Sequence, residues 1–217
     1  YAVQDAPRGI AEALLIAEDF LDGAAPVLIL GDNIFFGHYL RVILTQCARR
    51  QEDATVFGCR VRDPERYGVV ELDHDGRAVS LVEKPAVPRS NYAVTGLYFY
   101  DGSAVERARA LRPSARGELE ITDLNQAYLG EGRLHVERLG RGYAWFDAGT
   151  HDSLLQAGEF VRTVQSRQGL QIACPEEIAY LSGWIDAAAL ERHAAAHEGT
   201  EYARYLRQVL ADDPWAK

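Results

Sequence analysis

The stretch Val27-Leu28-Ile29-Leu30-Gly31-Asp32-Asn33 governs how the rest of the chain is read. Four apolar residues after Pro26 make a short run of the kind found in strands buried on both faces. The run stops at a glycine, a carboxylate and an amide. In an open α/β sheet, ligands bind beyond the carboxyl ends of the strands, so Asp32 is well placed to hold a metal or a polar ligand. Gly-Asp-Asn is equally good turn chemistry, and this stretch alone leaves both readings open. Upstream, Tyr1–Gln4 reads as a strand. Ile10–Leu21 reads as a helix between Gly9 and Gly23, with Ala13, Leu14, Ala17 and Leu21 at helical spacing. Downstream, a helix over Tyr39–Arg50 and a strand over Ala54–Cys59 complete a strand–helix–strand–helix–strand pattern. That pattern implies right-handed parallel crossovers.

Beyond residue 60 the pattern changes. Gly68–Leu72 and Ala78–Val82 alternate and are joined by His74-Asp75-Gly76, a hairpin signal. Tyr92–Tyr100 and Arg133–Leu139 read as further strands. Ser103–Leu111, Leu119–Leu129 and Thr150–Arg167 read as helices, and Asp186–His197 and Glu201–Leu210 as a helical tail. The expected fold is α/β: a mixed sheet flanked by helices, with an antiparallel insertion. At 217 residues a substantial core is affordable, and the net charge of −9 argues against a general nucleic-acid-binding surface. No apolar run approaches the length of a transmembrane helix. Cys47, Cys59 and Cys174 lack metal-ligand spacing and suit a reducing, cytoplasmic setting with structural roles. His193 and His197 stand at i, i+4 in an alanine-rich tail and read as a solvated face rather than a zinc site.

Four more places carry possible chemistry. In Arg66-Tyr67-Gly68-Val69-Val70, Gly68 lets a ligand approach the backbone and Tyr67 offers an apolar body with a hydroxyl; the plain alternative is a loop entering a hairpin. In Glu83-Lys84-Pro85, Lys84 suits a phosphate and Glu83 suits sugar hydroxyls. If the strand continues, these two side chains point to opposite faces; the alternative is an exposed ion pair. Arg116 stands in a loop before a helix, where guanidinium and helix start both favour an anion. The nearby Glu118, Glu120 and Asp123 fit equally well as acids complementing the helix dipole. Asp147 follows Trp145-Phe146 and precedes a helix. It is either a cap or, if the sheet brings it to Asp32, half of a carboxylate pair able to share one Mg²⁺ with phosphate oxygens.

Taken together and in order, these segments resemble the glucose-1-phosphate thymidylyltransferases of the sugar nucleotidyltransferase family. The matching text is Leu30–Phe35, Asp63–Val70, Glu83–Pro85, Ser90–Tyr100, Arg116–Asp123 and Gly142–Thr150. The resemblance runs from Tyr1 to about residue 180. It implies a Rossmann-like sheet, a nucleotidyltransferase domain over 1–180 and a helical extension over 181–217. It implies transfer of a nucleotidyl group from dTTP to α-D-glucose 1-phosphate, giving dTDP-glucose and pyrophosphate. By the same resemblance, Asp32 and Asp147 hold Mg²⁺, and Lys84 and Arg116 grip the sugar phosphate. Tyr67, Gly68, Glu83, Val94 and Gly96 line the glucose pocket with Tyr98 close by, Gln4 pairs with the base edge, and Gly9 lets the backbone approach it. A homotetramer and a place in dTDP-rhamnose and polysaccharide biosynthesis are also implied. A UTP-dependent uridylyltransferase of the same fold, or a catalytically silent sugar-nucleotide-binding regulatory subunit, are the alternatives.

One departure stands against the match. The family's first strand leads into a loop of the form Gly-Gly-x-Gly-Thr-Arg-Leu, whose amides and arginine hold the triphosphate. These 217 residues contain no such segment. The expectation is therefore that an amino-terminal part of the family fold, with its first strands, is missing from this chain. The purified 217-residue chain is expected to form little or no dTDP-glucose; detectable product from dTTP, glucose 1-phosphate and Mg²⁺ would overturn that expectation.

Overall fold

The computed structural model describes residues 1–50 and 52–212. The chain divides into two compact units, Tyr1–Thr150 and His151–Lys217. The division read from the sequence falls instead after residue 180, inside the second unit. Residues 213–217 of the expected extension lie outside the described residues.

In the first unit the elements run α1 (Glu12–Ile16), α2 (Glu18–Leu21), β1 (Val27–Ile29), β2 (Asn33–Gly37), α3 (Leu40–Cys47), β3 (Ala54–Arg60), β4 (Gly68–Leu72), β5 (Ala78–Glu83) and β6 (Tyr92–Phe99). They continue with α4 (Ala104–Ala110), α5 (Ile121–Gly130), β7 (Leu134–Leu139) and β8 (Tyr143–Asp147). One mixed sheet has the order β5-β4-β6-β3-β7, with β1 also paired to β6. Inside it, between β6 and β7, runs β3, where Ala54-Thr55-Val56-Phe57-Gly58 is buried throughout. Successive side chains point to opposite faces, so the two faces acquire separate cores. Val56 and Tyr98 pack on one side with Leu14 of α1, Ala108 of α4 and Leu124 and Tyr128 of α5. Phe57, Leu97 and Phe99 pack on the other with Cys47, Ile43 and Leu44 of α3. The α/β class is as expected, and so is the β4–β5 hairpin. There Gly76 takes φ +81°, and Asp73 Oδ1 accepts hydrogen bonds from the amides of Asp75 and Arg77.

Several sequence readings need correction. Tyr1–Gln4 is not a strand, since it has no ladder partner among the described residues. The helix expected over Ile10–Leu21 breaks at Ala17, which leaves α-geometry at φ −88°, ψ 3°. β1 is not buried on both faces: it pairs only with β6, and Val27 and Ile29 are 54% and 57% exposed. The crossover reading is right in direction and wrong in neighbour. β1 and β3 both run antiparallel to β6 and so run the same way, but β6 lies between them. Among the described residues the parallel ladder is β3–β7. The ribbon formed by β2 and β8, and the helix over Pro175–Leu181, were not expected.

The second unit contains α6 (His151–Gln168), α7 (Pro175–Leu181), α8 (Ala187–Ala196) and α9 (Glu201–Asp212). Its core is Cys174, Leu190, Ala194, Leu206 and Val209. Asp186 caps α8 by accepting the Ala189 amide at 2.7 Å. All three cysteines are free thiols, and burial pushes each of them up, Cys47 to about 11. His193 and His197 are exposed, as expected.

The sheet end beside α4 is tied by Asp101. Its Oδ1 accepts from Ser103 Oγ and Tyr128 Oη, each at 2.6 Å, and its Oδ2 meets Arg133 at 2.6 Å. Burial pushes this carboxyl up, but the hydrogen bonds from Ser103 and Tyr128 and the Arg133 charge outweigh it and hold it below the ordinary range. A carboxylate with a lowered folded pKa contributes stability above its unfolded value, about 3.9, and loses it as pH falls through the lowered one. Asp101→Asn is therefore expected to lower unfolding stability by about 1–3 kcal/mol at neutral pH. In urea melts across pH, the gap between parent and variant should close below about pH 4.

Candidate active site

The ribbon of β2 and β8 builds the site. Its register sets Asn33 opposite Asp147 and Phe35 opposite Trp145. Asp32, one residue before β2, then lies beside the end of β8, and its carbonyl accepts the Ala148 amide at 2.8 Å. A β-carbon placed on Gly149 would lie 3.1 Å from Asp147 Oδ1 and 3.6 Å from Asp32 Oδ2. The two carboxylates thus converge on one spot, and neither has an ion-pair partner within 4.0 Å among the described residues. Convergent carboxylate oxygens are the donor set of a hard divalent cation, so these residues fit such an ion.

A cleft of about 300 Å³ opens here, lined by both aspartates and by Asn33, Tyr67, Gly68, Glu83, Lys84, Val94, Gly96 and Tyr98. A strand continuing through Lys84 would set Glu83 and Lys84 on opposite faces. Instead β5 ends at Glu83, and Lys84 takes the left-handed φ of +41°, which turns both side chains onto the cleft. Their charges stand 3.9 Å apart. Glu83 Oε2 accepts from Thr122 Oγ1 at 2.5 Å, which fixes the carboxylate against the start of α5. Burial pushes the hydroxyls of Tyr67 and Tyr98 up, so both remain protonated donors.

Arg116 does not line the cleft but stands at its edge, 3.7 Å from Glu83 Oε1. Its guanidinium is held mainly by Glu120, at 2.8 and 2.9 Å from Nη2 and 3.1 Å from Nε. Gln4 and Gly9 also lie outside the lining. Gln4 Nε2 donates to the Gly9 carbonyl at 3.1 Å and to Glu12 at 2.6 Å. Gly9 takes φ +103°, and a β-carbon there would meet the Leu119 carbonyl oxygen at 2.3 Å.

Sequence reasoning gave no role to Asn33, Arg66, Thr122 or Trp145, all of which line the cleft. Asn33 is the junction. Its Oδ1 accepts the Gly96 amide at 2.9 Å and the Trp145 indole at 2.7 Å, and its Nδ2 donates to Asp32 Oδ1 at 2.8 Å. Its place directly after Asp32 was the available signal.

A mixed sheet that presents two facing carboxylates, a lysine and a glycine-relieved backbone to one cleft is the build of a transferase for phosphorylated substrates. The chain belongs to the nucleotidyl transferase family, whose model matches residues 1–164. Within that family it is similar to proteins named glucose-1-phosphate thymidylyltransferase. That of Xanthomonas campestris pv. campestris is 59% identical over 206 residues, covering 95% of this chain and 70% of the relative. That of Neisseria gonorrhoeae is 53% identical over 210 residues, covering 97% of this chain and 73% of the relative. A crystal structure of a Bacillus anthracis protein assigned to the same activity, in complex with a sucrose, superposes with TM-score 0.67 at 44% identity. The match covers 75% of this chain and 64% of that one, so the chain spans less than two thirds of that structure. Members of the family typically use a divalent metal ion.

Gly96 is the tighter of the two glycines lining the cleft: a β-carbon there would meet the Asn33 side chain at 2.7 Å. Gly96→Ala is therefore expected to push Asn33 away and break its bond to Trp145. The Trp145 indole proton should shift markedly in the NMR spectrum, while a Gly130→Ala control, where a β-carbon meets open space, leaves it in place.

Proposed function

We propose that this chain belongs to an enzyme transferring a thymidylyl group from dTTP to α-D-glucose 1-phosphate, with dTDP-glucose and pyrophosphate as products. The observation that carries this reading is the convergence of Asp32 and Asp147 beside Lys84 in one cleft, in a chain 59% identical to a named glucose-1-phosphate thymidylyltransferase. A phosphate oxygen of the sugar attacks the α-phosphorus of dTTP. The new P–O bond forms as the bond to the β-phosphate breaks, and pyrophosphate leaves. Such a transfer depends on positioning and charge neutralisation rather than on a protein nucleophile.

In this reading Asp32 and Asp147 hold Mg²⁺, which supplies charge neutralisation to the triphosphate. Lys84 meets the sugar phosphate as a point charge. Arg116 joins it by turning part of its fork from Glu120, against which it is already aligned. Glu83, fixed by Thr122, accepts hydrogen bonds from sugar hydroxyls. Tyr67, Gly68, Val94, Gly96 and Tyr98 shape the sugar pocket. Gln4 and Gly9 belong to the base side, with Gly9 fixed against Leu119. The same proposal takes residues 1–180 as the nucleotidyltransferase part and the remainder as a helical extension. It includes a cytoplasmic setting, in keeping with three unpaired thiols, a homotetramer, and supply of dTDP-glucose to rhamnose and polysaccharide synthesis. No helix among the described residues is long and apolar enough to cross a membrane.

The test is an assay of the full-length protein with glucose 1-phosphate, Mg²⁺ and either dTTP or UTP. Asp32→Asn and Asp147→Asn are each expected to lower kcat by about 100-fold or more. Lys84→Ala should raise KM for glucose 1-phosphate by about tenfold or more. Preference for UTP would overturn the thymidylyl assignment. Full activity in both aspartate variants would overturn the metal assignment.

A further inference from the structure

We infer that the first unit has a second ligand site, for a small organic phosphate, in a cavity that shares no residue with the cleft above. The cavity, about 360 Å³, lies between the β4–β5 turn, the end of α5 and β7. That is within the size range of small-molecule sites. Its floor is apolar: Ala78, Leu129, Leu134 and Val136 are the outer margin of the core formed with α5. Its wall is cationic. Arg50 and Arg77 line it, and the Arg138 guanidinium reaches within 3.5 Å of the β-carbon position of Gly76, another lining residue.

The charges in this cavity are unevenly matched. Glu137 is engaged by Arg50 at 2.6 Å, and His135 by Asp53 at 2.9 Å. Arg77 and Arg138 have no carboxylate within 4.0 Å among the described residues. Of the two acids closest to Arg77 in sequence, Asp75 stands 3.4 Å from His74, and Asp73 spends its Oδ1 on the amides of Asp75 and Arg77 and feels the Arg77 charge only at longer range. In a chain of net charge −9, two guanidiniums without a carboxylate in contact thus stand together beside one apolar-floored cavity. A guanidinium is weakly hydrated and presents a planar fork that fits phosphate oxygens. A phosphate would lie across Arg77 and Arg138, and the organic part would cover Leu129 and Val136. Gly76 and Gly132 line the cavity as well and leave the backbone open to the ligand.

The test is titration of the isotope-labelled full chain with inorganic pyrophosphate in metal-free buffer, followed by NMR of glycine amides. Gly76 and Gly132 report on this cavity, and Gly68 and Gly96 on the other cleft. Saturable shifts of Gly76 and Gly132 at millimolar concentration are expected. They should persist in Lys84→Ala and weaken by about tenfold in the Arg77→Ala/Arg138→Ala double variant. Both arginines are exposed, so spectral dispersion of the double variant should match the parent. A hexose phosphate, whose ring would cover Leu129 and Val136, should bind more tightly here than inorganic phosphate, and equal affinity would overturn the role given to the apolar floor. Motionless Gly76 and Gly132 amides, or an unchanged response in the double variant, would overturn the site without touching the proposed transferase activity.

Discussion

The pairing of Asn33 with Asp147 across the β2–β8 ribbon is the contact on which the candidate site depends. Asp32 and Asp147 are far apart in the chain, and neither sits on the main sheet. An antiparallel ladder with a fixed register converts that separation into adjacency, because each paired residue fixes the next. The ribbon is anchored to the sheet through side chains: Asn33 takes the Gly96 amide of β6, and the Trp145 indole closes on the same oxygen. A one-residue slip would send every side chain of the strand to the opposite face and separate the carboxylates. The apolar residue Phe35, which packs beneath the ribbon into the α3-side core, opposes such a slip.

The electrostatics of the cleft follow from what the ribbon brings together. Asp32, Asp147 and Glu83 line it, with Lys84 and Arg66 as its cations. Arg116 stands outside and is shared among Glu120, Glu118 and Glu83. A pocket of this balance is poorly suited to two phosphorylated substrates unless further positive charge enters with them. In the proposed mechanism a divalent ion at the two aspartates would reconcile an acidic lining with anionic ligands, and the carboxylate pair and Lys84 would then serve one purpose. The carboxylates around Arg116 then serve to hold a flexible side chain in place. An aligned guanidinium loses less rotamer freedom on meeting a ligand than a free one.

The parts of the fold legible in the sequence were those where a local pattern has a single structural meaning. The β4–β5 hairpin was one, because alternation and Asp-Gly turn chemistry agree. The interior strand β3 was another, because its apolar run is bounded by turn residues and is in fact covered on both faces. The run Val27–Leu30 shows the limit of the same reasoning. A four-residue apolar run specifies a strand but not how many of its faces are covered, and β1 turned out to pair on one side with two of its side chains in solvent. The ribbon strands were illegible for a different reason. Asn33-Ile34-Phe35-Phe36-Gly37 and Tyr143–Asp147 do not alternate, and each is a strand only because the other is there.

The site divides along the same line. Asp32, Lys84 and Asp147 were visible as residue types beside structural punctuation. Their relative placement was not, since it rests on a non-local ladder and on one unusual backbone angle. The Lys84 case shows how far a single dihedral can reach. In a continuing strand Glu83 and Lys84 would face opposite ways, and the sugar-facing acid and the phosphate-facing cation of the proposed mechanism would belong to different surfaces. The left-handed turn at Lys84, with the following Pro85 unable to extend the ladder, puts both on one wall. A non-glycine residue held at positive φ carries a conformational cost of about 1–3 kcal/mol. Here the hydrogen bond from the Lys84 amide to the Tyr67 carbonyl, at 3.0 Å, ties that turn to the entrance of β4. The same bond carries Tyr67 and Gly68 to the lysine, so the strained turn and the neighbouring wall of the cleft are positioned by a single local constraint.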